Sequence, residues 1–129
     1  VMGADHARLL ASQVAGARLH SITDADPARA RSVANENGVE HIAADPLALI
    51  NDPGIDAVLI ASPDHTHREL TLACIAARKP VLCEKPLAPT SRECLDVIRA
   101  EVALGRRLVQ VGYRRRCDTA SIEMKATLR

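Results

Sequence analysis

The residues of this chain that could do chemistry follow short apolar runs, where the strands of a parallel sheet would end. Gly3 opens a helical pattern, and Asp24 closes a β-prone run about twenty residues later. In a G-x-G-x-x-G fingerprint the last glycine permits close packing of helix on strand, and an acid at this distance accepts hydrogen bonds from the adenosine ribose of a dinucleotide. A helix that starts at a glycine and a strand that ends in a capping aspartate give the same spacing without a ligand. The pair therefore needs support from other motifs.

The charge of Asp24 bears on which nicotinamide cofactor would fit. A carboxylate at this place repels the additional phosphate of NADP, whereas it accepts hydrogen bonds from both ribose hydroxyls of NAD. The sequence therefore predicts NAD as the cofactor, if this is a dinucleotide site.

A second candidate segment, Ala61–Pro63, ends the most apolar run in the chain. Ligands of open parallel sheets gather beyond the carboxyl ends of the strands, which favours a binding role for Ser62 and Pro63. The next residues could instead shape a loop and cap a helix. They include four potential metal ligands, Asp64, His65, His67 and Glu69. No second His or Cys group follows at metal-site spacing, so we predict no metal.

A third candidate is Glu84-Lys85-Pro86, which follows another apolar run. A lysine at a strand terminus can donate to a substrate hydroxyl and bias its proton loss, and a neighbouring glutamate helps to hold the ammonium charged. Taken alone, the tripeptide is equally typical of an exposed turn.

The overall charge and the basic cluster 114–116 give little reason to expect a macromolecular partner. The net charge is +1, from 17 basic and 16 acidic residues, and Tyr113 is the only aromatic residue, so no stacking platform for nucleic acid exists. No apolar run reaches the roughly 18 residues of a membrane span. We therefore predict a small-molecule partner, with neither nucleic acid nor membrane.

Cap and turn signals divide the chain into alternating helices and strands. Asp26-Pro27 and Asp45-Pro46 each supply a helix cap followed by a first-turn proline. The elements are predicted, beginning with a helix and alternating, near residues 4–14, 18–24, 26–37, 40–43, 45–50, 55–61, 68–77, 80–83, 91–104, 108–112 and 120–128. This alternation predicts an α/β fold with a Rossmann-like, doubly wound parallel sheet. Such a fold begins with a strand, and we expect that first strand to be lacking here.

Together these pieces resemble the Gfo/Idh/MocA family of oxidoreductases, and most of all its inositol-oxidising members. The resemblance covers nearly the whole chain. It is carried by Met2-Gly3 with Asp24, Ala61-Ser62-Pro63 with His67, Glu84-Lys85-Pro86, and Gln110–Asp118 running into Ile122–Lys125.

The resemblance implies hydride transfer from a secondary hydroxyl of a polyol or sugar to NAD. It places Lys85 at the substrate hydroxyl as the catalytic residue. The residues it assigns to the cofactor site are Gly3, Asp24, Ser62, Pro63, His67, Glu84 and Arg115. It also implies a homo-oligomer and a second domain that supplies an Asp and His pair for proton transfer. Two departures from the pattern, Arg114 for an apolar residue and Cys117 for an aromatic one, bear on local packing and substrate preference.

The family pattern further predicts that residues 1–129 are a partial dinucleotide-binding domain, cut at both ends, without the C-terminal substrate domain. The four cysteines form no CxxC pair, which favours reduced thiols in the cytoplasm. Without a central strand, two apolar sheet edges would be unpaired. We expect the chain alone to be marginally stable or to associate, to bind NAD weakly, and to be inactive.

Other functions stay open on the sequence alone. Relatives that oxidise another sugar, or a glycosidase that uses the same hydride step transiently, share this half-site. A non-catalytic dinucleotide-binding regulatory protein is a second class, although Lys85 argues mildly against it because a sensor needs no such lysine. An inactive truncated chain is a third.

Overall fold

The computed structural model describes residues 2–113 and 118–128, and in them helices and strands alternate as predicted. The elements are α1 (Met2–Ser12), β1 (Ser21–Ile22), α2 (Pro27–Glu36), β2 (His41–Ile42), α3 (Pro46–Asn51), β3 (Val58–Ile60), α4 (Asp64–Ala76), β4 (Val81–Glu84), α5 (Ser91–Leu104), β5 (Val109–Gly112) and α6 (Thr119–Thr127). Every predicted element is present.

The strands form two parallel sheets. One contains β1 and β2, and the other has the order β3-β4-β5, with Ile60 beside Cys83 and Glu84 beside Gly112. Within the described residues no strand joins β1 to β3. This is the order expected of a doubly wound sheet whose first strand, the one between these two, is lacking, so the predicted fold class is confirmed.

The predicted cap signals act as expected. The Asp26 side chain accepts hydrogen bonds from the first-turn amides of α2, and Asp45 does the same for α3. Gly105 ends α5 with φ of 70°, a left-handed conformation that glycine adopts without a steric penalty. These local interactions fix the helix ends that the sequence predicts.

Several predicted boundaries were wrong: β3 spans Val58–Ile60 and not 55–61, and larger differences occur at α4 and β1. Helix α4 begins at Asp64 and not at Arg68, because Pro63 takes the N-cap position and its carbonyl accepts from the amide and hydroxyl of Thr66. His67 therefore lies on the helix and not in the loop before it. Strand β1 has two residues and not the seven of 18–24, since its ladder runs along only the two residues of β2.

The main core lies between the larger sheet and helices α3 and α4. It contains Ile50, Ile55, Val58, Ile60, Cys74, Val81 and Cys83. In β3 the side chains of Val58 and Ile60 are buried and that of Leu59 is partly exposed, so the strand is fully covered on only one face. In the described part of the chain, no helix is long and apolar enough to cross a membrane.

Candidate functional site at the carboxyl edge of the sheet

The predicted site residues of the larger sheet follow neighbouring strands at one edge. Ser62 comes after β3 and Lys85 after β4, and these two strands pair in register and in parallel. Because the carboxyl ends of parallel strands meet at the same edge, the structure brings the two segments together as the sequence predicts.

His67 joins the loops that carry these segments. Its Nδ1 lies 2.6 Å from the carbonyl oxygen of Pro86, and its Nε2 lies 2.8 Å from that of Ser62. The side chain is buried, with 1% exposed. Carbonyl oxygens only accept, and a neutral imidazole carries one N–H, so a neutral ring can donate to one of the two at a time. His67 thus contacts the main chain of both loops and presents little surface to a ligand.

Glu84 connects helix α1 to the same edge. Its Oε1 lies 2.7 Å from Nε2 of His6, and its Oε2 accepts from the main-chain nitrogen of Lys85 at 3.2 Å. A Cβ added at Gly112 would lie 3.3 Å from Cδ of Glu84, so the glycine leaves room for the carboxylate. We expected Glu84 to support the Lys85 ammonium, but the structure directs the carboxylate to His6 and to the main chain.

Lys85 stands on the rim of the edge. Its side chain is exposed, and no hydrogen bond or ion pair joins its ammonium to the described residues. The following peptide bond to Pro86 is cis. The ammonium is therefore available to an incoming group, as the prediction of a catalytic lysine requires.

Asp24 lies just beyond β1 and is already engaged by its own chain. Arg29 donates to both carboxylate oxygens, Nε to Oδ2 and Nη2 to Oδ1, each at 2.9 Å. The amide of Asp26 donates to Oδ1 at 2.8 Å. The hydrogen bonds from Arg29 and Asp26 lower the pKa of Asp24 against the opposing effect of partial burial. The group is a carboxylate at neutral pH, as a ribose acceptor must be.

The other predicted cofactor residues differ in their contacts and exposure. A Cβ on Gly3 would lie 3.8 Å from Cβ of Ala61, an ordinary contact between α1 and the end of β3. Ser62 shares a hydrogen bond of 2.6 Å with the hydroxyl of Thr66. Pro63 caps α4 and is exposed. Arg115 lies outside the described residues.

Sequence reasoning missed three participants, His6, Arg29 and Gly112. Each acts through a contact with a predicted residue. His6 and Arg29 stand in no motif, and Gly112 lies within the segment Gln110–Asp118 but had no role assigned to it. Arg29 alone carried a usable signal, because a basic residue in the first turn of a helix can reach back to an acid at the end of the preceding strand.

A cavity of about 360 Å³ lies beside the smaller sheet. Its lining includes Ser21 of β1, both residues of β2, and Ala43. No cluster of three or more His, Cys, Asp or Glu side chains among the described residues could hold a metal ion.

The polar side chains that follow β1, β3 and β4 suit part of a dinucleotide. Asp24 offers carboxylate oxygens, Ser62 a hydroxyl and Lys85 an uncommitted ammonium, which match ribose hydroxyls and a polar substrate. Of the glycines that cradle a pyrophosphate, the described residues contain the one at Gly3. The chemistry of these residues therefore suits the adenosine ribose and the reactive end of a dinucleotide.

Comparison with known proteins agrees with this geometry. Residues 1–113 match the family described as an oxidoreductase family with an NAD-binding Rossmann fold, Gfo/Idh/MocA. Inositol 2-dehydrogenase 1 of Saccharopolyspora erythraea is 57% identical over 129 residues, which are 99% of this chain and 38% of that protein. The myo-inositol dehydrogenase of Lactobacillus casei, in complex with NAD(H) and myo-inositol, superimposes with a TM-score of 0.95 at 29% identity, over 99% of this chain and 38% of its own.

A second solved relative binds a different inositol. The scyllo-inositol dehydrogenase of Lactobacillus casei, with bound NAD(H) and scyllo-inositol, has a TM-score of 0.92 and 27% identity over 98% of this chain and 37% of its own. The chain thus spans less than two fifths of the relatives it matches.

The class that fold and comparisons define is therefore the NAD-binding Rossmann fold of an oxidoreductase family. This chain belongs to the Gfo/Idh/MocA family, as the sequence resemblance predicts.

Proposed function

We propose that this chain is the NAD-binding part of a dehydrogenase that oxidises a secondary hydroxyl of an inositol or a related polyol. The observation that carries the proposal is the uncommitted ammonium of Lys85 at the carboxyl edge of the sheet, in a chain similar over its whole length to inositol 2-dehydrogenases. NAD, when bound, accepts a hydride from the carbon that bears the hydroxyl.

Each site residue has a role within this proposal. Asp24 accepts from the adenosine ribose, while Gly3, Ser62, Pro63 and Arg115 line the rest of the cofactor site. Lys85 donates to the substrate hydroxyl and favours loss of its proton, because an ammonium stabilises the developing negative charge on oxygen.

Two further residues, His67 and Glu84, position the loops that carry the site residues. His67 holds the main chain of the Ser62 and Pro86 loops, and Glu84 ties the Lys85 main chain to α1. They belong to the cofactor site through the loops that they fix. Their burial supports this indirect role, since a fully desolvated side chain has little surface left for a ligand.

The proposal extends to the protein's organisation. We propose that the substrate domain, with the proton-transferring Asp and His pair, corresponds to the part of the relatives that this chain does not cover, and that the whole protein is a homo-oligomer. The free thiols of Cys74, Cys83 and Cys94 support a cytoplasmic location.

Calorimetric titration with NAD tests the proposal. Two proteins are compared, the chain itself and a version preceded by a β-strand and a G-x-G turn, which aims backbone N–H groups at the pyrophosphate. We expect NAD to bind the extended version far more tightly, and Asp24→Ala in that version to weaken binding. Failure of both proteins to bind NAD would contradict the proposed cofactor role.

A further inference from the structure

Arg29 and Asp24 form a two-point ion pair at the place where the proposed function puts the adenosine ribose. Both guanidinium contacts are 2.9 Å long, and the planar fork of Arg29 matches the carboxylate. Both side chains are partly exposed, Arg29 at 52% and Asp24 at 32%, so a ligand can reach them.

The hydrogen-bond capacity of Asp24 is almost used up by its own chain. An ionised carboxylate offers about four acceptor positions. Arg29 takes two of them and the amide of Asp26 takes a third. The two hydroxyls of an adenosine ribose need two, so one of these three contacts must be given up when both hydroxyls bind. The half-exposed Arg29 side chain can turn away, whereas the main-chain amide of Asp26 is held by the start of α2. The released guanidinium then lies beside the ribose.

A guanidinium at this place suits a 2′-phosphate. In dinucleotide folds an arginine near the ribose accommodates the additional phosphate of NADP, and arginine binds phosphate through two parallel hydrogen bonds. The Asp24 carboxylate and a 2′-phosphate would occupy the same fork of Arg29, and they repel each other.

We propose that Arg29 is a cofactor-specificity residue whose affinity for a 2′-phosphate is masked by Asp24. This inference rests on the proposed function for the location of the ribose. It assigns the preference for NAD to a competition between two anions for one guanidinium, in addition to the repulsion that Asp24 exerts by itself.

The test measures binding of adenosine 2′-monophosphate and adenosine 5′-monophosphate to the 129-residue chain by calorimetry. Asp24→Ser removes the carboxylate and keeps an oxygen that can accept from the Asp26 amide. We expect this variant to bind the 2′-phosphate at least about tenfold more tightly than the wild type does, as release of a charge-assisted pair allows. Adding Arg29→Ala to Asp24→Ser removes the gain.

A matched control is Arg31→Ala in the Asp24→Ser background, because Arg31 is an exposed arginine of the same helix that forms neither a hydrogen bond nor an ion pair with Asp24. We expect the gain to persist in it. The inference is overturned if Asp24→Ser shows no gain for the 2′-phosphate, or if the gain survives Arg29→Ala. Binding of the 2′-phosphate in the expected pattern without binding of NAD by the extended chain would contradict the proposed function and the cofactor role of Arg29 with it, while the competition between Asp24 and a phosphate for the guanidinium would stand.

Discussion

Replacement of His67 by alanine should loosen the loop that carries Lys85. The change leaves the carbonyls of Ser62 and Pro86 without their partner in a buried site. A buried polar group that loses its partner costs about 1–3 kcal/mol, and a neutral ring donates to one of the two carbonyls at a time. We therefore expect the local opening free energy of the loop to fall by about 1–3 kcal/mol, which corresponds to roughly 5- to 160-fold faster amide exchange.

The assay is hydrogen–deuterium exchange of the peptide that covers residues 85–90. The matched control is His65→Ala, because His65 is exposed on the same helix. Peptides from α5 serve as an internal reference, since a general loss of stability would raise their exchange equally. Equal exchange of residues 85–90 in His67→Ala and His65→Ala would refute the reasoning, as would an increase that is no larger in the loop than in α5.

Two further predictions concern packing around the site and the buried thiols. Gly112→Ala should lower the free energy of unfolding by about 1–3 kcal/mol in urea titrations, because the new Cβ crowds the Glu84 carboxylate. Gly3→Ala, whose Cβ makes an ordinary contact, should not, and equal losses in the two variants would contradict this account. Burial raises the pKa of Cys74 to about 11, so a thiol reagent at neutral pH should label the half-buried Cys94 before Cys74, as read by mass spectrometry. Faster labelling of Cys74 than of Cys94 would contradict this prediction. The raised pKa of Cys74 also means that its contribution to the free energy of unfolding is retained below the ordinary thiol pKa and is lost as pH rises towards 11.

The order of elements and the segments at the sheet edge could be predicted because they depend on local chemistry. Asp26 and Asp45 cap their helices with side chains only a few residues from the amides they bind. The start of α4 could not be predicted from the same rules, because Pro63 caps it without a side-chain hydrogen bond. A capping rule that looks for Ser, Thr, Asp or Asn passes over this position.

The internal contacts of the site depend on the folded chain and left no local signal. His6 and Glu84 are 78 residues apart, and His67 and Pro86 are 19 apart. The sequence could indicate that Glu84 and His67 belong to the site, but not that their polar atoms face inward. Register between β4 and β5 brings Gly112 over Glu84, and only the paired strands reveal why a glycine stands there.

The central claim is that the carboxyl edge of the sheet is a dinucleotide site, and nuclear magnetic resonance tests it most directly. NAD is titrated into the isotopically labelled chain that carries the additional strand and G-x-G turn. We predict that the amide signals of Asp24, Ser62 and Lys85 shift with a common saturation curve while that of Gly105, which ends α5 on the amino side of β5, stays in place. Shifts centred on His41 and its cavity, with Asp24 and Lys85 unchanged, would contradict the account.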